Sequence, residues 1–165
     1  QNLAARDKLV ALSGKLGCGL LFGVATPSPN DWGKPLYNSA VLCDKGEVID
    51  TKNKALLPTY DVFDEARYFQ PDPTPCVATF RGRRLGLLIC EDIWTNAKLL
   101  GRVPYDSAPA VACLRGQAEI LINISASPWG TGKHRLREKL VQAAAHQTGL
   151  TTVLVYQVRA TDAPV

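Results

Sequence analysis

The run Gly86-Leu87-Leu88-Ile89-Cys90-Glu91-Asp92-Ile93-Trp94 decides how this chain is read. An apolar strand points alternate side chains to opposite faces of a sheet, so its last residue emerges at the sheet's rim. Here that residue is Cys90, and two carboxylates follow at once. Cysteine is nucleophilic only as the thiolate, with an unperturbed pKa of about 8.5. Flanking acids raise that value unless a cation or a base opposes them. The candidate cation is Lys54, in Lys54-Ala55-Leu56-Leu57-Pro58.

Working outward, Cys76 to Phe80 and Arg84 to Cys90 flank the turn Arg81-Gly82-Arg83, which predicts a hairpin. A second hairpin is predicted upstream, with Pro35 to Cys43 returning through Val48-Ile49-Asp50 around Asp44-Lys45-Gly46-Glu47. Leu20 to Thr26 reads as a buried strand before it. Leu9, Leu12 and Leu16 form a helical stripe ending at Gly17. Downstream, Tyr105 to Gln117 reads as a helix, and Glu119 to Ser125 as a strand covered on both faces. Thr131 to Gln147 reads as a long helix with Leu136, Leu140 and Ala144 inward and Lys, Arg and Glu outward, the basic run from Lys133 to Lys139 reading as a solvated face in preference to one turned to a partner subunit. Thr151 to Val158 is a last β-branched strand. Hairpins mixed with β-α-β units predict an α/β sheet with helices on one face.

Composition bounds the class. The 165 residues suffice for one domain that buries roughly 70% of its unfolded surface. Hydrophobic content of 46% and charged content of 21% are globular values. The net charge of +4 is mild, and no aromatic-basic interleaving points to nucleic acid. No apolar run approaches the roughly 20 residues of a membrane span. Five cysteines at wide, irregular spacings, without a CxxC pair and with only two His, argue against zinc and for reduced thiols in a cytoplasmic setting.

Three loops that follow strands carry candidate chemistry. They are Lys54 with its tail to Phe69, Cys90 to Trp94, and Asn123-Ile124-Ser125-Ala126-Ser127-Pro128-Trp129. Active sites of α/β sheets gather at such strand ends. Amide cleavage by a thiol needs a nucleophile, a base, and positive charge for the oxyanion. Cys90 and Lys54 fill two of those roles. Each also has a plain structural reading: free cysteines are commonly buried packing residues, and Lys54, beside Lys52, reads as a solvated lysine. Tyr60, Phe63, Tyr68 and Phe69 read as packing, Arg67 as a surface ion pair with Asp64 or Glu65, and Ser125 and Ser127 as turn residues.

The motifs as worded favour the chemical reading. Lys54-x-x-Leu57-Pro58-x-Tyr60-x-Val62-Phe63-Asp64-Glu65-x-Arg67-Tyr68-Phe69, Leu88-Ile89-Cys90-Glu91-Asp92-x-Trp94 and Asn123-Ile124-Ser125-Ala126-Ser127-Pro128 resemble the carbon–nitrogen hydrolase (nitrilase) superfamily. Phe-Asp-Glu-x-Arg-Tyr-Phe and Cys-Glu-Asp narrow the resemblance to the glutaminase domain of glutamine-dependent NAD synthetases. The resemblance implies an αββα sandwich lacking N- and C-terminal strands, with residues 1–165 forming one partial domain and the ATP-dependent synthetase domain absent. It implies that Cys90 forms a thioester with the glutamine side chain and that Lys54 holds the oxyanion. Tyr60, Glu91, Ser125 and Ser127 would bind glutamine, and Glu65 would orient the lysine. A backbone N–H just after Cys90 would complete the oxyanion hole.

The family's general base, a glutamate upstream of the lysine, has no counterpart among Asp7, Asp31, Asp44, Glu47 and Asp50. General base catalysis supplies roughly 10²–10⁴-fold, so these residues alone are expected to be inactive. The family's Asn-Gln-Val-Gly-Gly is also replaced by Tyr156-Gln157-Val158-Arg159-Ala160. Truncation at both ends is the expectation. The hydrolytic step would need no cofactor, ATP and deamido-NAD belonging to the absent domain. Expected partners are glutamine, the synthetase domain of the same polypeptide and further copies of the chain. Two alternatives stay open: another nitrilase-type amidase acting on a small amide or carbamoyl compound, and a catalytically dead interaction module.

Overall fold

The two predicted hairpins close through residues that take positive φ, Lys45 (52°) with Gly46 (84°) and Arg81 (48°) with Gly82 (77°). Paired positive φ matches the right-handed twist of the flanking strands, which is why such turns hold tight hairpins. In this computed structural model, which describes residues 2–29, 32–60, 63–101, 105–128 and 130–157, the hairpins belong to different sheets. The first sheet is antiparallel, in the order β1 (Leu20–Pro27), β2 (Leu36–Asp44), β3 (Glu47–Asn53). The second runs β4 (Val77–Phe80), β5 (Arg83–Ile89), β6 (Ile120–Ser125), β7 (Thr151–Tyr156). There β4 is antiparallel to β5, while β5, β6 and β7 are parallel.

The helices are α1 (Asn2–Leu16), α2 (Ala97–Leu100), α3 (Pro109–Arg115) and α4 (Lys133–Thr148). The first packs on the first sheet, and the last two pack on the second. This corrects the expectation of one sheet with helices on one face. Between the sheets, Leu42, Ala78, Leu85 and Leu87 cluster with Leu21, Phe80, Ile120 and Ile122. On the far side, Leu88, Leu121, Cys113, Leu140 and Ala144 pack sheet against helix. Strand β5 therefore buries both faces, Leu85 and Leu87 inward and Leu88 toward the helices, in the period-2 alternation of a strand. The arrangement is the αββα sandwich that the resemblance implies.

Local differences from the sequence reading have identifiable causes. In α1 the leucine stripe is not the docking face, since Leu12 and Leu16 are exposed. Instead Ser13 is buried, donating to Val10 O at 2.7 Å and accepting from Gly46 N at 3.0 Å. The helix meets the backbone of a turn, where only small residues fit: a Cβ on Gly14 would lie 3.2 Å from Gly46 N. The helix expected from Tyr105 begins only at Pro109, whose ring favours the first helical turn. In α4 the buried face is Arg137, Leu140, Ala144 and Thr148, with Leu136 only partly covered. The end of the predicted last strand at Val158, the altered Arg159-Ala160, and Asp31, Val62 and Trp129 lie outside the described residues.

Opposite the strand ends that carry the candidate chemistry, Arg81 joins the two sheets. It donates to both carboxylate oxygens of Asp44 at 3.1 and 3.0 Å and to Gly17 O at 3.2 Å. Among the described residues no helix is long and apolar enough to cross a membrane.

Candidate active site

Cys90 directly follows β5 and begins a 3-10 turn, Cys90–Ile93. Its φ is 45°, in the left-handed region that costs an L-residue about 1–2 kcal/mol. Such strain persists only where surrounding contacts impose it, and sharp strand-to-helix turns of this kind hold a nucleophile out from a sheet. Asn123, fully buried on the neighbouring strand, donates Nδ2 to Cys90 O at 3.3 Å, and its Oδ1 has no partner among the described residues.

Burial is the main force pushing the Cys90 thiol upward; the charge of Lys54 and a hydrogen bond with Ser125 pull it down, and Glu91 and Glu65 push it up more weakly. The flanking Glu91 thus acts in the direction expected and Lys54 opposes it, but burial, which the motif does not reveal, outweighs both. Asp92 turns away from the cleft. Its Oδ1 accepts from Ala55 N (3.1 Å) and Leu56 N (3.0 Å), and its Oδ2 accepts from Ile89 N (2.9 Å). The last bond is the reach-back of a capping box, made here by an acid at the third position of the turn. Asp92 is wholly buried, which raises its carboxyl to about 6.

Lys54 is 1% exposed, which overturns its reading as a solvated lysine. Its Nζ lies 2.7 and 2.8 Å from Glu65 Oε1 and Oε2. A buried ammonium requires such a partner. Two backbone bonds hold the pair in place, Lys54 N to Asn38 O (2.8 Å) and Glu65 N to Pro58 O (3.2 Å), and Asn38 Nδ2 approaches Glu65 Oε2 at 3.4 Å. Arg67, expected to pair with Asp64 or Glu65, lies over the Tyr68 ring at 5.5 Å.

Cys90, Lys54, Glu65 and Ser125 line one cleft of about 420 Å³ between the two sheets. Phe22, Gly23 and Phe63 wall it on one side, and Ile124, Ala126, Tyr156 and Gln157 on the other. A hydrophobic cleft with a few convergent polar groups is the form small-molecule sites take. Tyr60, Glu91 and Ser127 stand outside this lining. Glu91, nearly buried, accepts on Oε1 from Tyr60 OH (2.7 Å) and Tyr105 OH (2.9 Å). Ser127 Oγ accepts from Arg137 Nε at 3.0 Å, and Arg137 also donates to Pro128 O at 2.7 Å. The guanidinium lies 4.5 Å from the centre of the Tyr156 ring, whose hydroxyl donates to Ser127 O.

Sequence reasoning placed Arg137 on a solvated face, yet it is buried and clamps the loop after β6. Its register with Leu140 and Ala144 was the available signal. It also missed the inward turn of Asp92 and the cleft wall from β1, which no motif marks. Among the described residues no group of three or more His, Cys, Asp or Glu could hold a metal ion.

No family model matches the chain. It is 36% identical over 146 residues to a glutamine-dependent NAD(+) synthetase of Synechocystis, a match over 87% of this chain and 26% of that protein. Against the enzyme of the same description from Xylella fastidiosa strain Temecula1 it is 39% identical over 138 residues, covering 82% and 23%. The chain thus spans about a quarter of the length of these relatives. Among solved structures, the glutamine-dependent NAD+ synthetase of Acinetobacter baumannii, in complex with adenosine diphosphate, superimposes with a TM-score of 0.75 at 29% identity, over 95% of this chain and 27% of that one. An amidase of Nesterenkonia from the nitrilase superfamily gives 0.74 at 22% identity, over 94% and 53%, which is a likeness of fold.

Proposed function

We propose that this chain, similar over most of its length to glutamine-dependent NAD(+) synthetases, hydrolyses the side-chain amide of glutamine in its cleft. The observation that carries this reading is the buried Lys54–Glu65 pair sharing one cleft with Cys90. The Cys90 thiolate attacks the amide carbon, and the carbonyl oxygen becomes an oxyanion facing Lys54 Nζ and the backbone N–H that follows Cys90. Collapse expels the nitrogen, protonated, as ammonia and leaves a thioester. Water then attacks the thioester, releasing glutamate and restoring the thiol. A general base, assigned to an upstream glutamate that these residues do not include, takes the proton from Cys90, passes it to the departing nitrogen, then takes a proton from the attacking water and returns it to the sulfur.

Lys54 suits the oxyanion role because the low dielectric around a buried ammonium strengthens its attraction for a developing negative charge, and Glu65 prevents its side chain from swinging away. Ser125 on the cleft wall, together with Tyr60, Glu91 and Ser127, is assigned to recognition of the glutamine amino and carboxylate groups. The ammonia would serve NAD synthesis from deamido-NAD on an ATP-using domain of the same polypeptide, in a homo-oligomer of the cytoplasm. No cofactor is needed for the hydrolytic half.

A diazoketone analogue of glutamine tests the reading in the full chain. The adduct is expected on Cys90, mapped by peptide mass spectrometry and blocked by glutamine. Labelling of another cysteine, or none in folded protein, refutes it. Ammonia release from small amides exceeding that from glutamine would transfer the reading to a general amidase.

A further inference from the structure

Two of the three loops that build the cleft are joined by a single side chain. Ala55 and Leu56, immediately after Lys54, and Ile89, immediately before Cys90, all donate backbone N–H bonds to the Asp92 carboxylate. The two segments are more than thirty residues apart in sequence and belong to different sheets' connections. We propose that Asp92 is a positioning residue that sets the spacing between the Lys54 ammonium and the Cys90 sulfur by clasping both loops at once. The inference rests on the catalytic reading of Cys90 and Lys54.

The geometry supports this in three ways. Both carboxylate oxygens are used, Oδ1 on the lysine loop and Oδ2 on the cysteine turn, so a displacement of either loop pulls on the other. Asp92 is fully buried, so water offers no substitute acceptor for those three N–H groups. Cys90 is held in the left-handed region, and the bond from Ile89 N fixes the residue at which the chain enters that strained turn. An orphaned Ile89 N–H would let the turn relax, and the sulfur would move with it.

An amide cannot replace this carboxylate. Asparagine has one acceptor oxygen, so its NH₂ group faces either the Ala55–Leu56 pair or Ile89 N, donor against donor. The test is Asp92→Asn, with Asp92→Ser beside it, in the full chain. Three quantities are read: melting temperature, kcat and KM for glutamine, and the pH profile of Cys90 alkylation by iodoacetamide, followed on the Cys90 peptide. The expected result is a kcat lower on the order of 10–100-fold with KM within about twofold, because sub-ångström placement of reacting groups carries that much rate. The Cys90 alkylation profile moves to higher pH, because Lys54 is no longer held beside the sulfur. In a Lys54→Met background the same Asp92 substitution leaves the profile unmoved.

Folded variants with a lower melting temperature but unchanged kcat and alkylation profile would reduce Asp92 to a structural role and overturn the proposal. Alkylation needs no glutamine turnover, so failure of the glutamine reading leaves the positioning test intact. If neither variant folds, amide hydrogen exchange in the unsubstituted chain decides. Leu56 and Ile89 are expected to open as one unit with a common opening free energy, and independent opening refutes the clasp.

Discussion

Replacing Lys54 with methionine removes one charge of a pair whose other member cannot leave the site. Methionine fills the space of the lysine stem, so the packing loss is small. What remains is the Glu65 carboxylate with Asn38 Nδ2 at 3.4 Å as its nearest donor. Breaking a fully buried pair by removing one partner costs about 3–5 kcal/mol. The Glu65 side chain keeps 18% of its exposure, so it regains part of its hydration and the cost falls to about 1–3 kcal/mol. For a chain of this size each kcal/mol moves the melting temperature by roughly 2–4 °C, so a decrease of about 2–12 °C is expected by calorimetry. The same substitution removes the charge that most lowers the Cys90 thiol. Burial then acts with less opposition, and the pH profile of Cys90 alkylation shifts upward. Both changes must occur together. A variant that melts lower while Cys90 keeps its reactivity at every pH would show that Lys54 does not act on the sulfur, and the reasoning would fail.

Gly86→Ala puts a methyl 2.6 Å from Leu121 Cδ2 and 2.9 Å from Cys113 Cβ, so overpacking of about 1–3 kcal/mol is expected in denaturant unfolding, and a neutral result would show that β5 yields there. The Asp44 carboxyl is held below its ordinary range first by the hydrogen bond from Arg81. Its contribution is therefore present above the unfolded carboxylate pKa and lost as the pH falls through the folded value. Arg81→Ala should flatten that acid limb in a pH series of melting temperatures, and an unchanged limb contradicts the assignment.

Much of the site was legible before any fold was known. Cys90 at the end of an apolar run, Lys54 before Leu57-Pro58, and Glu65 within Phe63-Asp64-Glu65 are local patterns, and one cleft brings the three together. Strands and hairpin turns were legible for the same reason, since alternation and positive-φ turn residues act over a few positions. Less legible were the features set by partners far along the chain. The leucines of α1 looked like a core stripe, yet the helix docks by Ser13 and Gly14 because its neighbour is the backbone of a turn. Arg137 looked solvated, yet Tyr156 and the Pro128 carbonyl cover it.

The opening motif shows the division most clearly. The amino-acid sequence by itself determined that a thiol stands at the rim of a buried strand, with a lysine and an acid in loops that could meet it. The tertiary structure alone decided what the two acids after Cys90 do. Glu91 is held by Tyr60 and Tyr105, and Asp92 turns inward onto the backbone of the lysine loop. Adjacent carboxylates are alike in sequence. They diverge because a 3-10 turn sends successive side chains in different directions, and only the packing of two sheets sets what each one meets.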